Sequence, residues 1–346
     1  MTAHQRKYSS WNRFITLLAF FLILTSVPGC AQSRDQSQVQ ETPAAEAPHP
    51  ETPPEPAKTV FAAIPDRIRP GEPLTVVVSP GSDFPDSPEL RAVLMNGEGS
   101  RLSRAVFFDY PLDSGTVKAA LLTVPSTARS GPAHIQLEDN DGSLGIIPLA
   151  ILEREFVHEE IPLDQRNTDI RTVPDPQKTR ESEILWSIIS STGTDIHAEG
   201  LFSPPVTSTR RTSHFGDRRV YRYTDGSTAT SIHAGVDYGI PRGTPVLACA
   251  PGRVVLSAFR IVTGNSVIIE HLPGVYSLYY HLDKLGVNEG DFVETGVLLG
   301  ESGSTGLSTG PHLHWEIRIA GENTDPDVLV GRPLLDKEMV IRTIGS

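Results

Sequence analysis

The stretch His312-Leu-His-Trp-Glu-Ile-Arg-Ile319 has a strand's composition, and in a strand residues two apart face the same side. Both imidazoles, His312 and His314, therefore point one way, with Leu313 and Trp315 on the opposite face. Two neutral imidazoles held side by side suit a borderline-soft divalent ion such as zinc. The pair alone does not separate a metal site from a surface pair. Upstream, residues 266–271 and 275–281 are separated by Leu272-Pro-Gly274 and read as a hairpin. Alternation in Val275-Tyr-Ser-Leu-Tyr-Tyr-His281 places His281 at the end of the row Val275, Ser277, Tyr279.

Further upstream lies His233-Ala-Gly-Val-Asp237. On a straight strand the two side chains would emerge about 13 Å apart, at about 3.3 Å per residue. One metal with bonds of about 2 Å cannot span that. A helix would bring them together, but Gly235, Gly239 and Pro241 oppose one. The remaining geometry is a bend at Gly235, with His233 on a loop and Asp237 entering a strand. His, Asp and His together leave one tetrahedral position open, the mark of a catalytic site. A peptide hydrolase also needs a base for its water and a polar group for the developing oxyanion. One histidine of the 312/314 pair and His281 are left for those roles, and spacing does not decide which of the pair binds the ion.

The region around these residues, about 206–335, is strand-rich with Gly and Pro punctuation. Residues 59–155 hold short apolar runs parted by turn signals such as Pro70-Gly71, Asn96-Gly97 and Asp141-Gly142. That pattern predicts a small, immunoglobulin-like β-sandwich and gathers no titratable group into a site. Between the two, residues 156–205 read as a linker with one short helix over 178–191, its apolar positions Ile184, Leu185, Ile188 and Ile189 at helical spacing. Residues 336–346 read as a tail.

At 346 residues the chain has room for two ordinary domains and connectors. A formal net charge of −12 argues against a nucleic-acid partner, which a basic patch would serve. The N-terminus carries Arg6, Lys7 and Arg13 before an apolar stretch from Phe14 to Leu24, the layout of an export signal over residues 1–29. It ends in Val27-Pro28-Gly29-Cys30, which resembles the lipobox of bacterial lipoproteins, where the cysteine becomes acylated. Pro28 departs from the small residue usual there, and ordinary signal cleavage or an uncleaved anchor are the alternatives. All three readings export the rest of the chain. Residues 30–58, rich in Gln, Glu, Ala and Pro, predict a disordered tether. Cys249, in Pro245-Val-Leu-Ala-Cys-Ala250, reads as a small buried hydrophobe.

The runs Thr212-Ser-His-Phe-Gly-Asp-Arg218, His233-Ala-Gly-Val-Asp237, Tyr280-His-Leu282 and Ser302-Gly-Ser-Thr-Gly-Leu-Ser-Thr-Gly-Pro-His-Leu-His-Trp-Glu316 resemble the signature of lysostaphin-like (LytM-type) zinc endopeptidases. The resemblance spans roughly residues 206–335 and implies a mainly antiparallel β domain with its site in a loop-walled groove. It implies zinc on His233, Asp237 and His314, with His281 and His312 as non-ligand catalytic histidines. His214 and His271 match no ligand position and read as surface or packing residues. The implied substrate is the peptide part of peptidoglycan; the lipobox resemblance at Cys30 separately implies a lipid-anchored envelope protein, on the periplasmic side. The rival reading is a catalytically silent domain that activates other cell-wall hydrolases, and a third is a wall-binding module.

Overall fold

The computed structural model describes residues 60–63, 65–78 and 89–344. The predicted export signal, Cys30 and the tether lie outside the described residues. All described residues fall within one compact unit, Pro53–Ser346. Among them no helix is long and apolar enough to cross a membrane.

Two sheets form the N-terminal sandwich. One orders Val60–Ala63, Pro73–Val78, Gly115–Thr123 and Phe108–Leu112; the other orders Arg67–Ile68, Ser143–Ile151, Gly131–Glu138, Arg91–Asn96 and Arg101–Val106. Between them lie Val76, Val78, Ala120 and Leu122 from the first sheet and Leu94, Ile135 and Leu137 from the second. Successive strand residues point to opposite faces, so Val77, Val117, Ala119 and Leu121 face the other way. They do not meet water. They join a second core with Phe215, Tyr238, Trp315 and Ile317 of the C-terminal strand-rich region.

That region is built on a ten-stranded sheet whose main path runs Arg211–Ser213, Val236–Tyr238, Leu313–Ile319, Val275–Leu285, Gly264–Leu272, Gly252–Arg260 and Phe292–Val293. The predicted hairpin is present, with Leu272 opposite Val275 and Gly274 at φ 75°. Pro then Gly at the two central positions is what a tight turn with one positive φ requires. Strand Leu313–Ile319 lies between Val236–Tyr238 and Val275–Leu285, which sets His314 opposite both Asp237 and Tyr280.

The linker and tail expectations need correction. Residues 156–205 are integral to the fold: His158–Pro162 pairs in parallel with Arg218–Arg222, which pairs in turn with Thr228–Ile232. A first helix, Gln165–Thr172, follows, and then the predicted one, observed at Pro176–Ile189 with Asp175 capping it and proline in its first turn. Leu185, Ile188 and Ile189 pack on Leu256, Ile268 and Tyr276, but Ile184 is rotated off that face and exposed. The tail forms the helix Lys337–Ile344, with Val340 in the core shared with the sandwich.

Candidate metal centre

His233 stands on the loop between strands Thr228–Ile232 and Val236–Tyr238, with the bend at Gly235. A Cβ on Gly235 would lie 2.1 Å from the Trp315 carbonyl oxygen, so only glycine lets this loop close onto the neighbouring strand. Asp237 enters its strand beside His314. The three side chains converge: His233 Nε2 lies 3.1 Å from Asp237 Oδ1 and 2.9 Å from His314 Nδ1, and His314 Nδ1 lies 2.7 Å from Asp237 Oδ1. All three residues are buried.

Their outer atoms fix what the inner ones can do. His233 Nδ1 donates to the His214 carbonyl at 2.8 Å, leaving Nε2 as a lone pair. His314 Nε2 donates to Glu316 Oε1 at 3.0 Å, directing its Nδ1 inward. Asp237 Oδ2 takes a hydrogen bond from Arg219 at 2.7 Å, leaving Oδ1 inward. Two nitrogen lone pairs and a carboxylate oxygen about 3 Å apart repel one another unless a cation lies among them. The donors form one face of a tetrahedron, of the mixed N and O type that suits a divalent ion.

Without a metal, a proton fills the role. Burial alone would push His314 down, but hydrogen bonds to Asp237 and Glu316 and their charges push it up to about 9. Burial would raise Glu316, yet Arg318 and His314 hold it down at about 2. Asp237 is likewise held well below the usual carboxylate range, against burial, by His233 and His314. Burial pushes His233 down, against the opposing pull of Asp237.

The other two histidines face the same cavity. His281 Nδ1 donates to the Thr305 carbonyl at 2.7 Å, and His312 Nδ1 to the Gly310 carbonyl at 2.8 Å. Each leaves Nε2 free. Their ring centres are 4.7 Å apart, and His312 Nε2 is 3.9 Å from Asp237 Oδ1. Burial, then the neighbouring His312 and His314, push His281 down to about 3, so it is neutral.

The position of His281 differs from the expected row. Ser277 and Tyr279 face the core, where Ser277 bonds His271 and Tyr279 accepts from the Cys249 amide. Tyr280, opposite His314 and stacked on its ring at 5.5 Å, is on the site face. Regular alternation would thus bury His281 with Tyr279. A register shift next to it and a φ of 62° turn it back to the site. Bulges beside active sites re-aim side chains in this way, at a backbone cost of about 1–3 kcal/mol.

Sequence reasoning missed Glu316 and Arg219. Glu316 follows His314 by two on one strand, so parity alone could have found it. Arg219 carried no such signal. Its place depends on the sheet that sets it beside Glu159 and Ser231. His271 and Cys249 are buried and packed in the core, with the Cys249 thiol raised to about 11 by burial. His214 is exposed and contributes only its carbonyl to the centre.

Residues 231–326 match the profile described as Peptidase family M23. The DD-carboxypeptidase/endopeptidase Mpg of Neisseria meningitidis serogroup B is 43% identical over 122 residues, 35% of this chain and 27% of that protein. The peptidoglycan DD-endopeptidase ShyA of Vibrio cholerae serotype O1 is 39% identical over 118 residues, 34% of this chain. The chain spans 27% of the length of each of these curated relatives. A crystal structure of an M23 peptidase from Pseudomonas aeruginosa shares the fold over 76% of this chain and 94% of that one, with a TM-score of 0.51 at 22% identity. The antiparallel sheet and the converging donors agree with that match, so residues 231–326 form a region similar to peptidase family M23.

Proposed function

We propose that the chain is a zinc-dependent endopeptidase that hydrolyses peptide bonds in peptidoglycan stem peptides or cross-bridges. The observation that carries this reading is the inward convergence of His233 Nε2, His314 Nδ1 and Asp237 Oδ1 beside two further histidines with free Nε2 atoms. The names of the relatives, peptidoglycan DD-endopeptidase among them, support the substrate class. Glu316 and Arg219 hold the ligands His314 and Asp237 in place from outside, as such outer partners do in metal sites.

Zinc held there would polarise the scissile carbonyl and acidify a water. His281, neutral and with its Nδ1–H fixed on Thr305, presents Nε2 to take the proton of the attacking water and return it to the leaving amine. His312, fixed on Gly310, can carry the proton that hydrogen-bonds the developing oxyanion. The silent-activator reading gains nothing here, since activation has no need of an assembled centre.

The placement we propose is a lipid-anchored envelope protein, joined through Cys30 and the tether of residues 30–58. The sandwich, read as immunoglobulin-like from its strand pattern, would hold the peptidase domain. Digestion of purified sacculi by the full chain, with products identified by mass, tests the function. Fragments split at a peptide bond, lost on chelation and restored by zinc, are expected. Glycan fragments, or no release, would refute it.

A further inference from the structure

The cavity containing the metal centre has a volume of about 280 Å³ and is walled in part by the segment between the two strand-rich regions, through Ile161, Leu163 and Arg171. Two arginines line it, and they differ. Arg219 is neutralised by Asp237 and Glu159. Arg171 pairs with no carboxylate of the described residues. Its guanidinium carbon lies 4.0 Å from the centre of the Tyr221 ring, and its Nε donates to the Tyr223 hydroxyl at 3.1 Å. Its two terminal nitrogens, with four N–H donors, bond nothing among the described residues.

This side chain is pinned rather than loose. Its helix, Gln165–Thr172, is capped by Asp164 and fixed to the catalytic loop by buried Asn167, whose Nδ2 donates to the Ser308 carbonyl at 3.1 Å. The same short loop supplies the Gly310 carbonyl that orients His312. A flexible arginine with no partner would extend into water. Here an aromatic face and a phenol hold the planar fork at the wall of the cavity, and such a fork matches a carboxylate with two parallel hydrogen bonds.

We propose that Arg171 is a specificity residue that receives a carboxylate of the peptide lying in the groove, so that a substrate with a free acid near the scissile bond is preferred to its amide. The proposal rests on the peptidase reading and deepens it. Either a side-chain or a chain-terminal carboxylate has the required chemistry.

The test uses the full zinc-loaded chain and synthetic cross-linked stem peptides in three forms: all carboxylates free, the side-chain carboxylate amidated, and the terminal carboxylate amidated. Arg171→Met keeps an apolar contact with Tyr221 and removes the charge. It should raise KM on the free acid by roughly tenfold to a hundredfold, with kcat little changed. The unsubstituted chain should lose a similar factor on one of the two amides, which identifies the carboxylate, and Arg171→Met should not distinguish that amide from the acid. Arg171→Lys should recover only part of the preference. An equal loss on all three forms, tracking a lowered melting temperature, would mean a structural role and overturn the proposal. So would an unsubstituted chain indifferent to amidation. If no form is cleaved, the peptidase reading fails, and calorimetric affinities for the same peptides still decide on Arg171 by the same comparison.

Discussion

Four histidines each commit one ring nitrogen to an outward hydrogen bond and leave the other facing one cavity. That shared habit, more than the nearness of the rings, is what makes the cluster a site. It also makes Glu316 important to the metal, because its anion holds the His314 Nε2–H. Glu316→Gln loses that anion, and zinc affinity should fall by roughly tenfold to a hundredfold in a competition titration. A pH dependence follows as well. Because His314 in the metal-free chain is raised to about 9, zinc must displace a proton at neutral pH. Proton release on binding should therefore be measurable in unbuffered solution near pH 7, and apparent affinity should climb as pH rises towards 9. For the metal-free chain the sign is the reverse. A raised histidine stabilises fully below its unfolded pKa of about 6.5, so this contribution should fade from there up to about pH 9 in melting curves. At this scale the candidate histidines and Asp237 could be read from residue types and motif order, but spacing left open which of His312 and His314 joins His233 and Asp237. The orienting carbonyls of His214, Thr305 and Gly310 could not, because any residue can supply a carbonyl and only the folded path of the chain selects which one.

Among the elements, two local departures from regular strand geometry make the centre. One is the bend at Gly235, legible in the sequence because no straight strand or helix could bring His233 to Asp237. Gly235→Ala would drive a Cβ into the Trp315 backbone, and the variant should fold with a lowered melting temperature and bind zinc poorly. The other is the bulge at His281, which alternation alone misplaces. The residue sits at φ 62°, a region that asparagine tolerates and β-branched residues do not. Thus His281→Val should be less stable than His281→Asn in denaturant unfolding, and on the proposed role of His281 neither should cleave sacculi. The Pro176–Ile189 helix was legible from its apolar spacing, although the expected bounds, 178–191, missed its Asp175 cap and Pro176 start. The Gln165–Thr172 helix was not, since its sequence Gln-Arg-Asn-Thr-Asp-Ile-Arg-Thr has a single apolar residue and no apolar stripe to detect. Its stability comes from the Asp164 cap and from Asn167 buried against Ser308.

On the scale of the whole molecule, the sandwich and the peptidase region share one core, and the C-terminal helix joins them. Arg154 bridges the Pro70 carbonyl and Asp325, Arg218 donates to the Ser126 carbonyl, and Thr75 donates to the Leu334 carbonyl. The sequence pattern showed two domains because each has its own strands and turns. It could not show that Gly115–Thr123 is buried on both faces, since apolar runs look alike whichever neighbour covers them. A chain starting at residue 200 would expose the shared core and lose the 158–162 strand beside Arg219. It should aggregate or melt well below the full chain, as size-exclusion chromatography and thermal unfolding would show. If His233, Asp237 and His314 hold the metal while His281 and His312 serve the reaction, as proposed, the zinc content of His281→Ala, prepared as the full chain and shown not to cleave sacculi, decides the matter. About one zinc per chain is expected, with none retained by His314→Ala prepared alongside. Loss of zinc from His281→Ala together with its activity would contradict it.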